Sequence, residues 1–104
     1  MLDSKILFSD VSLKNENKVL EGAAKVLGHK VRYTMFCRPA PQGAVYRFCI
    51  SYRGERAECC VRCDRQTANK IFFSVLRGRV TPCSGEYVIR ELTDDAENCI
   101  FIEG

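Results

Sequence analysis

The sequence has no tryptophan and a single histidine, His29. A Ser-His-Asp or Cys-His catalytic set would therefore have to use that one imidazole. No serine or cysteine sits in a nucleophile-elbow context, and no glycine-rich loop is present to cradle a phosphate. Carboxylates pair only near the end, at Asp94, Asp95 and Glu97, with no apolar pocket in view to tune one as an acid; a solvated helix end is the plainer reading. No apolar run approaches the roughly 20 residues that cross a bilayer, so no membrane association is expected. The first residues lack a basic stretch followed by a long apolar one, so no secretory leader is expected and the cytoplasm is the expected compartment. Internal repeats, low-complexity tracts and linkers are also missing.

What is present fits one small domain covering residues 1–104. The length of 104 residues is that of a single domain, and 46% hydrophobic residues suffice for a core without metal or disulfides. The seven cysteines are Cys37, Cys49, Cys59, Cys60, Cys63, Cys83 and Cys99. An odd number in a reducing compartment points to thiols, most of them acting as small buried apolar groups.

Charge is segregated. Residues 1–24 carry net −1, residues 25–90 carry 13 bases against four acids, and residues 91–104 carry five acids and no base. All ten arginines lie between Arg32 and Arg90. Arginine presents a planar fork suited to carboxylates and phosphates.

Ile6–Leu13 reads as a first strand, ended by the polar turn at residues 14–17. From Lys18 to Gly28, Val19, Leu20, Ala23, Ala24 and Leu27 recur at helical spacing, with Asn17 and Gly28 as caps; the spacing predicts a helix, with a hairpin strand as the alternative. Val31–Arg38 is a strand stopped by Pro39 and Pro41. Ala44–Tyr52 follows as a strand, Arg53-Gly54 as a tight turn, and Glu55–Cys63 as a third strand. Asp64 caps a helix carrying Ala68, Ile71, Phe72, Val75 and Leu76, closed by Gly78. Thr81-Pro82 opens another helix with Val88, Ile89 and Leu92 buried, a strand through Glu86–Leu92 being its rival. Asn98–Glu103 adds a short strand or packs on the core. The fold expected is α+β: an antiparallel meander of three to five strands with two to three helices packed on one face.

Strand alternation sorts the meander into two faces. Val31, Tyr33, Met35 and Cys37, then Tyr46, Phe48, Ile50 and Tyr52, then Ala57, Cys59, Val61 and Cys63 form the core face. The other face gathers Arg32, Phe36, Arg38, Arg47, Arg56 and Arg62, with Glu58 as its one acid. These six are the candidate binding residues. Their chemistry suits an acidic protein partner first, and single-stranded nucleic acid second, with Phe36 for stacking. The acidic tail could lie on this face in the free protein. The plainer readings are a solvated sheet face and a face covered in a homo-oligomer.

The thiols offer less. Cys60 and Cys63 form a C-x-x-C, but no second pair exists to complete a four-ligand zinc site, and alternation puts Cys60 on the face opposite Cys59 and Cys63. A site would need Cys49 or Cys83 to join, so no metal and no cofactor are assigned. Cys83 at a helix start could be an activated thiol, though a capping turn explains it as well. His29 suits a helix C-terminus. The expected role is a non-enzymatic interaction module, with a small Cys-dependent metal or redox protein as a further alternative.

The run from Tyr33 through the Val45–Tyr52 and Arg56–Cys63 strands, the Thr67–Leu76 helix and the Val80-Thr81-Pro82 step resembles a family of proteins of about a hundred residues from Clostridia-like Firmicutes, a domain of unknown function. Members resemble a short meander, a helix and a V-(S/T)-P entry to an acidic terminal helix. This sequence departs in its many cysteines and longer N-terminal segment. The resemblance implies a cytoplasmic bacterial protein and a terminal helix, and no activity.

Overall fold

The computed structural model describes residues 16–41 and 43–103. The strand expected over Ile6–Leu13, and the first half of the turn after it, lie outside those residues.

The fold is α+β, with a five-stranded antiparallel sheet and, among the described residues, two helices. The strands are β1 (Asn17–Val26), β2 (His29–Ala40), β3 (Gly43–Tyr52), β4 (Glu55–Arg62) and β5 (Ile100–Ile102). The helices are α1 (Arg65–Arg77) and α2 (Pro82–Asp94), both between β4 and β5. Strand order in space equals strand order in the chain.

β1 corrects the helix expected over Lys18–Gly28, and with it the helix-terminal role given to His29, which opens β2 instead. Leu27 and Gly28 both have positive φ, 52° and 81°. That is the geometry of a two-residue type I′ turn, which reverses a chain between twisted strands. Once reversed, β1 pairs with β2 from Val26↔His29 to Asn17↔Cys37, with one irregularity between Lys18 and Leu20. Ala and Gly at positions 22–24 satisfy helical and strand patterns alike, so pairing decides. Gly22 also has a packing reason to be glycine: a Cβ there would come within 3.1 Å of Leu76 Cδ2.

β2 runs through Pro39, paired with Ala44, rather than stopping there. The Arg53-Gly54 turn repeats the type I′ geometry, with φ of 49° and 83°. Asp64 caps α1 as expected, its Oδ1 accepting from the Thr67 N–H at 2.7 Å. Pro82 opens α2; Thr81 precedes it in an extended conformation without a side-chain capping bond. The helical reading of residues 84–94 therefore holds over its strand rival.

The core follows the expected strand face. Val31, Tyr33, Met35, Phe48, Ile50, Cys59 and Val61 form one buried cluster with Ala68, Ile71, Phe72, Val75 and Ile89 of the helices. Full burial of each large apolar side chain is worth about 1.5–3 kcal/mol. Two close approaches join the helical segments to the sheet. A Cβ on Gly85 of α2 would sit 2.9 Å from Ile50 Cδ1. The Tyr33 hydroxyl donates to the Val80 carbonyl between the helices at 2.8 Å. Buried Thr93 is satisfied within its helix, donating to the Ile89 carbonyl at 2.7 Å.

Candidate interaction face

The residues that alternate with the core set lie in four rows across the sheet. Arg38, Val45 and Arg62 form one row, and Lys18, Phe36, Arg47 and Cys60 the next. Glu21, Thr34, Cys49 and Glu58 follow, then Ala23, Arg32, Ser51 and Arg56. The register thus puts all six expected binding residues on one side, as alternation required. Val45 was missed in the sequence because it is apolar; it is buried on this face between Arg38 and Arg62.

The arginines are not equivalent. Arg47 is the anchor. Its Nε and Nη2 donate to the two carboxylate oxygens of Glu16 at 2.9 and 2.8 Å. Its Nη1 donates to Cys49 Sγ at 3.0 Å and lies 3.4 Å from Glu58. The guanidinium also stacks over Phe36, 4.3 Å from the ring centroid. This half-buried fork holds the Glu16 carboxyl below its ordinary range through the hydrogen bond, and the Arg47 value is pushed up in return. Glu16 had no signal in the sequence: its partner is 31 residues away and is chosen by the path of the chain, not by local pattern.

Arg56 pairs with Glu58 at 2.6 Å through Nη2 and remains largely exposed. Arg32 and Arg38 are exposed, and neither has an ion-pair partner among the described residues. Arg62 is half-buried, and its Nε is buried with no hydrogen-bond partner among those residues. Between Arg32 and Arg56 the small side chains Thr34, Cys49 and Ser51 leave a cleft of about 160 Å³, bounded by Phe36.

The acidic tail does not lie on this face. Glu103 pairs with Arg90 of α2, which also bonds Glu86 and stacks on Phe101. Asp95 and Glu97 border a separate cleft with Asp64, Thr67, Lys70 and Ser74. The acids of the tail are thus met by Arg90 and by the α1 side of the molecule, away from the arginines of the sheet face.

The thiols divide as alternation predicted. Cys59 and Cys63 are buried in the core, and Cys60 faces the arginines. All seven are free, and the described residues contain no group of three or more His, Cys, Asp or Glu placed to hold a metal. Burial pushes five of the thiols up: Cys59 to about 11, Cys63 to about 12, and Cys49, Cys60 and Cys99 in the same direction. A nucleophilic thiolate needs the opposite shift. Among the described residues, no helix is long and apolar enough to cross a membrane.

No family model matches the chain, and no match is found among curated proteins or solved structures.

Proposed function

We propose that the protein is a non-enzymatic interaction module that holds an acidic segment of a protein partner on the arginine face of its sheet. One observation carries this reading: the face already holds a carboxylate, Glu16, in a two-point grip by Arg47. Such bidentate pairs are the strong form of arginine–carboxylate recognition. Arg32 and Arg38, exposed to either side of that grip, extend the same chemistry to a second molecule.

The reading takes both helices to lie on the core side of the sheet, leaving the arginine side open. The shared core cluster, and the contacts of Leu76 with Gly22 and of Gly85 with Ile50, support that arrangement. It favours a carboxylate-bearing protein over single-stranded nucleic acid because Phe36, the one aromatic ring of this face among the described residues, is already covered by Arg47. Base stacking would need that ring free. The seven free thiols suit a reducing cytoplasm.

A synthetic peptide alternating glutamate with apolar residues is the probe, with Arg32→Glu/Arg38→Glu as the variant. Both positions are exposed, so folding should persist, checked by circular dichroism. Reversing two charges is expected to weaken binding by at least roughly tenfold, and binding to the native chain should weaken with salt. Equal affinity for the two proteins, or tighter binding of an oligo-dT strand than of the peptide, would overturn the proposal.

A further inference from the structure

We infer that the cleft between Arg32 and Arg56 is a subsite for a phosphate monoester on the partner, a phosphorylated side chain; this rests on the reading of the arginine face as a docking surface. The register builds the cleft. Arg32, Ser51 and Arg56 lie in one row across β2, β3 and β4, and Thr34 and Cys49 lie in the row beside it. Long side chains therefore stand at the two sides, and short ones make the floor between them. Its volume of about 160 Å³ is well under the roughly 300 Å³ at which sites for drug-sized molecules begin. A compact anionic group suits it better than a nucleoside or a cofactor.

The donors match phosphate better than carboxylate. Arg32 supplies a fork with no ion-pair partner among the described residues. Arg56 is paired with Glu58 through Nη2 alone, which leaves Nε and Nη1 to donate. Ser51 and Thr34 add two hydroxyls. A carboxylate has two oxygens and one charge. A phosphate monoester has three terminal oxygens and close to two charges at neutral pH, enough to use both forks and the hydroxyls. Glu58 repels the anion from one side, and the unpaired Arg32 opposes that repulsion. Glu16, by contrast, is gripped by Arg47, which stands in the row next to Thr34 and Cys49 and offers a single fork to a single carboxylate.

The experiment compares two peptides on the full chain, Glu-Glu-phosphoserine-Glu-Phe and its unphosphorylated form. The native protein is expected to prefer the phosphopeptide by roughly tenfold, the worth of about one charge-assisted hydrogen bond. Thr34→Val/Ser51→Ala removes the two hydroxyls without changing charge. It should reduce that preference severalfold and leave affinity for the unphosphorylated peptide unchanged. Ser51→Ala alone, at an exposed position, gives a smaller reduction should the double variant fold poorly. Arg38→Glu should weaken both peptides together.

Equal binding of the two peptides to native protein would overturn this inference and leave the acidic-partner reading standing. Failure of both peptides to bind would overturn both readings. A preference that survives the loss of both hydroxyls, or tighter binding of 5′-phosphorylated oligo-dT than of the phosphopeptide, would overturn the assignment of the cleft.

Discussion

Tyr33 shows how far a single side chain could be read in advance. Its place on the core face follows from the two-residue period of a strand, which the sequence displays plainly. What its hydroxyl does is not legible, because Val80 lies 47 residues on, between two helices. Tyr33 is 1% exposed, and removing its hydroxyl takes this donor from the carbonyl of half-buried Val80. Tyr33→Phe is expected to lower stability by about 1–2 kcal/mol in urea unfolding. Tyr52→Phe, whose half-buried hydroxyl donates to Val26 at 3.1 Å, should cost less. The arginines tell the same story. Alternation placed Arg32, Arg38, Arg47, Arg56 and Arg62 on one side. Their division into a saturated anchor at Arg47 and forks at Arg32 and Arg38 with no ion-pair partner among the described residues depends on where Glu16 comes to lie, which no local pattern encodes.

Among the elements, α1 was legible because three signals agree: Asp64 at its cap, apolar residues at helical spacing, and Gly78 at its end. β1 was not. Alanine and glycine carry little preference for facing anything, and Leu27-Gly28 reads as readily as the end of a helix as the middle of a hairpin. Leu27 is an unusual residue for its site, 89% exposed with φ at +52°. A β-turn of this type favours Asn-Gly, since asparagine tolerates the left-handed region better than leucine. Leu27→Asn is therefore expected to stabilise the protein by about 0.5–1 kcal/mol, seen as a melting temperature several degrees higher. No gain, or a loss, would mean that the exposed Leu27 makes a contact the hairpin needs.

For the whole molecule, the segregated charges make acid the condition to watch. The Glu16 carboxyl is held below 4.5 by its bond to Arg47, and the Glu103 carboxyl is lowered by Arg90. A carboxyl lowered on folding contributes stability that is complete above its unfolded value and is lost as pH falls through its folded value. Stability should thus hold at neutral pH and decline below about pH 4.5. Glu16→Gln should flatten that decline and lower stability at pH 7, where the bidentate pair is intact. An unchanged pH profile in the variant would show that this pair contributes little.

The strand order carries a consequence for how the chain assembles. From β1 to β4, each strand emerges during synthesis beside the neighbour made just before it, so three hairpins can close over short loops. Only β5 must wait, joining Cys60–Arg62 after both helices have been made. Short-range closure is fast and long-range closure slow. Of the strand edges that become paired, that of β4 is therefore the last to be covered, and among the described residues a three-residue strand covers it.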